Sequence, residues 1–289
     1  MQEALVLAED LRIDVDGVPV CDGLTLRTSG QRVLLLGAPH ALFEALAGLR
    51  PVMRGTLRVR GVATSSAVAE GTVAAAPLDP PLPPKWTVLE YVTWSARLSG
   101  RTARDARTLA KEAVARVQLG ALAAQPLARM VPHARRGVVV AAALATAPQV
   151  MILEDPLANL PEELARTWAG ILVSALEETP WAVLASRVAL TSPLTLASDE
   201  ALVVTGSRVD AQGPPAEIAA AEHRYVARIH GSLDALVARL AERGARLDVQ
   251  GAQVLLDLGA SVTTADLLRM AGETDATVVE LAPVARALT

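Results

Sequence analysis

Residues Gln31–Gly37 read Gln-Arg-Val-Leu-Leu-Leu-Gly, an apolar strand ending in glycine, and Leu42–Leu49 has helical spacing directly behind it. Strand, glycine and helix in that order frame a loop that could hold phosphate. Holding it takes successive backbone N–H groups in a glycine-rich turn, a lysine reaching the terminal phosphates, and a Ser/Thr hydroxyl for Mg²⁺. The connection here is Ala38-Pro39-His40-Ala41, with no second glycine, no lysine and no hydroxyl. Lys85 is the first lysine of the chain, so shifting the alignment supplies none. Pro39 removes an N–H donor, and only glycine adopts positive φ at low cost. A charge-assisted hydrogen bond contributes about 1.5–3 kcal/mol, so losing several should weaken nucleotide binding by at least about a thousandfold. Gly37, Pro39, His40 and Ala41 are then at best a vestigial anion site at a helix start, with His40 expected to be simply exposed.

The elements that must position these residues follow from periodicity. Leu5–Val15 and Gly17–Thr28 predict a hairpin turning at Asp16-Gly17. The continuous apolar run Val33–Leu36 predicts a strand buried on both faces. Leu57–Val62, Thr72–Ala76, Val150–Leu153, Trp181–Ser186 and Glu200–Val204 predict further strands. Thr87–Leu98, Ala103–Val117, Arg135–Leu144 and Leu164–Leu176 predict helices. Five prolines in the eight residues 77–84 require an extended loop. Strands alternating with helices imply an α/β core. After Gly213-Pro-Pro215 the order becomes strand Tyr225–His230, helix Ser232–Arg243, hairpin Arg246–Val249 with Gln253–Leu258, helix Thr263–Ala271 and strand Thr277–Leu281. That βαββαβ order predicts a small ferredoxin-like α+β domain.

The bulk numbers bound the function. With 289 residues the chain has room for a large domain and a small one. A net charge of −4 gives no basis for nucleic-acid binding. The single Cys21 rules out an intramolecular disulfide framework and fits a reducing compartment. The start Met1-Gln2-Glu3-Ala4 is acidic where a signal peptide is basic, and the longest apolar run, Val138–Ala147, is short of the roughly 20 residues that span a bilayer. The expectation is a soluble intracellular protein that meets a membrane only through a partner.

An ordered series of landmarks resembles the ATP-binding subunit of ABC transporters over about residues 5–222. Asp22-Gly-Leu-Thr-Leu26 precedes the Gly37 strand. Ala47-Gly48-Leu-Arg-Pro51 and Gly55-Thr-Leu-Arg-Val-Arg-Gly61 are similar to the run behind the phosphate-loop helix. Thr87-Val-Leu-Glu90-Tyr91 resembles the opening of the helical subdomain, Met151-Ile-Leu-Glu-Asp-Pro156 the end of the Walker B strand, and Val209-Asp-Ala-Gln-Gly213-Pro-Pro-Ala-Glu217 the late hairpin and turn. The extension behind it looks like those on subunits driving ABC-2-type exporters. The resemblance implies a P-loop NTPase-like ABC ATPase core with β-subdomain and helical subdomain at residues 1–220 (helical part about 86–134), plus the α+β domain at 221–289.

Against that family every catalytic position is altered. The Gly-Lys-Ser/Thr stretch is missing. The acidic pair, Asp-Glu in the family, is Glu154-Asp155, which displaces each carboxylate by about one C–C bond. The LSGGQ signature falls on Met130-Val131-Pro132-His133-Ala134, followed by Arg135-Arg136 at an expected basic helix start. The glutamine between core and helical subdomain falls at Leu78, the switch histidine at Arg187, the adenine-stacking aromatic near Val15, and the D-loop on Leu157-Ala-Asn159-Leu160 with Pro161 in place of its aspartate. Partner contact is implied at Leu78, Trp86, Glu90 and Tyr91. With Trp94, three of the chain's seven aromatics cluster there, suiting either an interface or the subdomain's own small core.

These departures predict a pseudo-ATPase: a structural or regulatory subunit, on the cytoplasmic face, of a complex with transmembrane subunits and a second nucleotide-binding subunit or a copy of itself. No cofactor, metal or nucleic acid is expected. Two alternatives stay open. One is an active ATPase with an atypical site in which Glu154, Asp155, Arg135 and Arg187 replace the lost groups, using ATP and Mg²⁺. The other is a soluble interaction module outside transport.

Overall fold

The computed structural model describes residues 3–221, 223–250, 253–259 and 262–288. Met1-Gln2 and the tip of the hairpin expected between Val249 and Gln253 lie outside them.

In chain order, β1 (Val6–Val15) and β2 (Val18–Arg27) form the expected hairpin, and β3 (Arg32–Leu36) leads into α1 (His40–Leu46). Next come β4 (Arg54–Val59), β5 (Val62–Ala63), α2 (Thr64–Ala69) and β6 (Val73–Ala76). The helical layer is α3 (Val88–Leu98), α4 (Ala103–Arg116) and α5 (Pro132–Leu144). Then follow β7 (Val150–Glu154), α6 (Glu162–Ala175), β8 (Trp181–Ala185), α7 (Pro193–Ala197), β9 (Glu200–Thr205), β10 (Arg208–Gly213) and α8 (Pro215–Ala220). The last unit is β11 (Arg224–Gly231), α9 (Leu233–Glu242), β12 (Arg246–Gln250), β13 (Gln253–Asp257), α10 (Thr264–Glu273) and β14 (Ala276–Pro283).

Three sheets result, ordered β2-β1-β4-β5, β10-β9-β3-β8-β7-β6 and β12-β13-β11-β14. The central one is parallel except for β10. Its strands are continuous apolar runs because both faces are covered, and successive side chains alternate sides. Leu34, Leu36, Met151, Leu153, Val183 and Ala185 enter one core with the helical layer. Val33, Leu35, Val150, Ile152, Ala182 and Leu184 enter the other, shared with the first sheet and α1. The last unit has its own core around Leu236, Leu240, Leu256 and Leu267. Its fully antiparallel sheet has the strand order of a ferredoxin-like βαββαβ unit. The expected fold class, an ABC ATPase-like α/β core with an α+β C-terminal part, is the one observed.

The local differences have physical causes. The helix expected over Leu42–Leu49 starts at His40 and stops at Leu46, because Gly48 at φ +71° turns the chain out of helix. The strand expected over Leu57–Val62 breaks at Arg60-Gly61, both with positive φ, into β4 and β5. The short helices α2 and α7 carry too few turns for a periodic signal. The helix expected from Arg135 starts at Pro132, which is favoured at a first helical position. Arg135 and Arg136 therefore sit a turn inside α5 and do not form its basic start. Beyond β14, Val284 and Leu288 are buried in the first core, so the end of the described chain returns to the α/β unit.

Candidate functional site

β3 delivers the chain to Gly37, whose N–H donates to Ala185 O at 2.8 Å. Glycine is required here: φ is +73°, and an added Cβ would lie 2.6 Å from Val204 O. Only Ala38 and Pro39 separate it from α1. Pro39 occupies the N-cap position with no side-chain cap, and α1 has just 7 residues. The cleft between this corner and the ends of β7 and β8, lined by Gly37, Pro39, His40, Glu154, Asp155 and Ser186, has a volume of about 190 Å³. Small-molecule pockets run to roughly 300–1,000 Å³.

Within this cleft the titratable groups engage one another. The His40 side chain is 62% exposed, yet its Nδ1 pairs with Glu154 Oε1 and its Nε2 lies 3.5 Å from Glu44 Oε1. This corrects the expectation of a merely exposed histidine. Residues 40 and 44 are one helical turn apart, so α1 sets the second contact, and the meeting of α1 with β7 sets the first. Glu154 Oε2 accepts the Leu78 N–H at 3.0 Å, so both its oxygens are occupied by protein groups. The Arg50 guanidinium, donating through Nε to Glu44 Oε2 at 2.6 Å, holds the Glu44 carboxyl below its usual range, with His40 adding to the effect.

Asp155 takes the left-handed region at φ +31°, and its N–H donates to Leu184 O at 2.7 Å. Its Oδ2 accepts from Ser186 N–H at 3.3 Å and Ser186 Oγ–H at 3.2 Å. Burial pushes the Asp155 carboxyl above its ordinary range, against the opposing pull of Ser186 and Arg136. A raised folded-state pKa contributes stability below the unfolded value of about 4, and that contribution is lost as pH rises through the folded value. Asp155→Asn should therefore be more stable than the parent at neutral pH, with the difference closing in acid. Denaturant midpoints of both proteins across that range check this, and a pH-independent difference would remove burial as the cause.

The other sequence-predicted residues lie elsewhere. Met130 is extended and buried, Val131 is the exposed N-cap of α5, and Pro132, His133 and Ala134 form its first turn. None of the five lines the Gly37 cleft. Arg135 Nη2 lies 3.7 Å from Asp79 Oδ1, and Arg136 Nη1 donates to Pro156 O at 3.3 Å. These contacts bind the helical layer to the core, and Arg135 does not line the cleft. Arg187 is exposed and makes no side-chain hydrogen bond or ion pair among the described residues. Val15 is half-buried beside the second core. Glu90 is committed to α3: its Oε2 accepts the Thr87 N–H at 2.7 Å in a capping box, which holds its carboxyl low. Trp86 and Trp94 meet edge to face at 5.6 Å and border an open groove on the helical layer, and Tyr91 lies 6.1 Å from Trp94. Sequence reasoning missed Ser186, Glu44 and Asp79. Only the i,i+4 spacing of His40 and Glu44 offered a signal for any of them. Among the described residues no cluster of three or more His, Cys, Asp or Glu side chains is placed to hold a metal ion.

No protein-family model matches the chain. The hemin import ATP-binding protein HmuV of Streptomyces coelicolor is 27% identical over 75% of this chain and 80% of its own length. The cytochrome c biogenesis ATP-binding export protein CcmA of Ruegeria pomeroyi is 28% identical over 63% of this chain and 84% of its own. Among solved structures, cbiO1 of Clostridium perfringens, part of the ABC transporter complex cbiONQ, superposes with a TM-score of 0.64 at 20% identity, covering 75% of this chain and 91% of that one. The ADP conformation of MJ1267, an ATP-binding cassette of an ABC transporter, gives 0.61 at 14% identity, over 73% of this chain and 91% of that one. Sequence relatives and fold agree: the chain is a relative of the ATP-binding subunits of ABC transporters and carries their nucleotide-binding-domain fold.

Proposed function

We propose that the protein is a pseudo-ATPase subunit of an ABC transporter, a structural or regulatory partner of a membrane permease, of an active ATPase subunit, or of both. One observation carries the reading: Glu154 spends one oxygen on His40 and the other on the Leu78 N–H, in a cleft of about 190 Å³. A nucleoside triphosphate with Mg²⁺ needs a ring of donors and a free carboxylate, and these residues offer neither. In their place the chain provides fixed internal contacts. The His40–Glu154 pair joins α1 to β7. Leu78 ties Glu154 to the proline-rich loop, and Asp79–Arg135 with Arg136–Pro156 closes the helical layer onto the core. Contacts of this kind hold core and helical layer together with no nucleotide between them.

No helix of the described residues is long and apolar enough to cross a membrane, so membrane association on the cytoplasmic face would run through the permease. The exporter assignment rests on the C-terminal unit, since the named relatives include an import and an export protein.

Titrating the protein with a fluorescent ATP analogue and Mg²⁺, with thermal unfolding in parallel, should give no saturable signal up to millimolar nucleotide. Micromolar binding would overturn the proposal in favour of an active ATPase with an atypical site. Co-purification of polytopic membrane proteins separates a transporter subunit from a free-standing interaction module.

A further inference from the structure

A second cavity, of about 490 Å³, lies where the α/β core meets the C-terminal unit. One wall is the carboxyl end of the parallel sheet: Gly37 after β3, Ser186 and Arg187 after β8, and Val203–Thr205 of β9. In open α/β sheets ligands bind outside the carboxyl ends of the strands. The opposite wall comes from β11, β13, β14 and the segment that follows. That segment is anchored, because Val188 N–H donates to Ala287 O and Leu190 N–H to Leu288 O, both at 2.9 Å. The cavity is therefore bounded by two firmly joined pieces of chain, and its volume falls in the ligand-sized range that the His40 cleft misses.

Its lining divides by chemistry. Val203, Val226, Ala282 and Ala287 make an apolar surface, while Arg187 and Arg228 share the lining with Glu280, the one carboxylate among its described residues. That local positive excess sits in a chain of net charge −4. Arg228 is oriented by Glu280 at 3.0 Å, and a guanidinium has five donors, so one carboxylate leaves part of its edge available. Arg187 spends its side chain on nothing else among the described residues. Planar guanidinium forks match carboxylate and phosphate oxygens.

The geometry points to a binding site, between the carboxyl ends of β3, β8 and β9 and the C-terminal sheet, for a small organic oxyanion with a compact apolar body, held by Arg187 and Arg228. Carboxylates and phosphate esters share that recognition chemistry. The site adjoins the Glu154 cleft across Gly37 and Ser186, takes its charge contacts from Arg187 and Arg228, and stands whether or not the chain binds nucleotide. A ligand seated there bridges both units and stabilises the folded state by mass action.

The test is calorimetric titration and thermal unfolding of the full chain with three probes at millimolar concentration: isovalerate, isobutyl phosphate and inorganic phosphate. At least one organic probe should bind and raise the unfolding midpoint, and which one does so distinguishes carboxylate from phosphate ester. Arg187→Ala and Arg228→Ala should each weaken binding by about tenfold or more, the size of one lost charge-assisted contact. Arg187→Lys should fall between, and His40→Ala should leave binding unchanged. Circular dichroism establishes that the variants are folded. Binding of no probe, of inorganic phosphate alone, or undiminished binding without the two arginines overturns the assignment.

Discussion

Replacing Asp210 with alanine is expected to destabilise the protein by about 3–5 kcal/mol, among the largest single-residue effects the fold contains. The Asp210 side chain is 0% exposed and that of Arg208 is 8%, and Arg208 Nε lies 2.6 Å from Asp210 Oδ1. Both sit on β10 two positions apart, where a register shift between Val209 and Ala211 accompanies their direct contact. Without Asp210 the Arg208 charge stays buried, with Asp248 Oδ2 at 3.8 Å and Asp248 O at 3.3 Å as its remaining partners. The pair itself is incompletely satisfied, since Arg208 Nη2 and Asp210 Oδ2 are buried without hydrogen-bond partners. Attraction between the two charges therefore offsets their desolvation only in part. The double substitution Arg208→Met with Asp210→Leu should consequently recover most of the single-mutant loss or exceed the parent. Urea unfolding of parent, singles and double measures the coupling. A double mutant as unstable as Asp210→Ala would show that the charges are not what stabilises this strand.

Glu200→Ala should cost about 3 kcal/mol, because one carboxylate at the start of β9 organises the turn that launches β3. Glu200 is 3% exposed and accepts from Ser29 N–H at 2.7 Å, Ser29 Oγ–H at 2.9 Å, Gly30 N–H at 3.0 Å and Gln212 Nε2 at 2.8 Å. Burial works against its ionisation, but the donors from Gln212, Gly30 and Ser29 outweigh it and hold the carboxyl below its usual range. A depressed folded-state pKa contributes stability that is present above the unfolded value and lost as pH falls through the folded value. Glu200→Gln should thus lose part of the stability near neutrality and lose less than the parent on acidification. Denaturant midpoints at neutral and acid pH test both arms, and parallel pH curves for parent and Glu200→Gln would exclude this carboxylate as an acid-sensitive tether.

The core strands were legible in the sequence because they are extreme cases. Val33–Leu36, Val150–Leu153 and Trp181–Ala185 are apolar throughout, as only a strand covered on both faces can be. Short elements were not legible. Neither α2 nor α7 completes the two turns a periodic pattern needs, and α1 begins at His40 because Pro39 sets the cap, ahead of the first core-facing leucine.

The sequence by itself determined the make-up of the connection between β3 and α1: Ala38–Ala41 holds no glycine, no lysine and no hydroxyl. Only the tertiary structure decided what the remaining polar groups do. His40 and Glu154 are separated by 114 positions, and Glu154 and Leu78 by 76. Their pairing depends on parallel strands bringing distant segments to one sheet end. That meeting is set by burial over the whole core, and no local pattern encodes it.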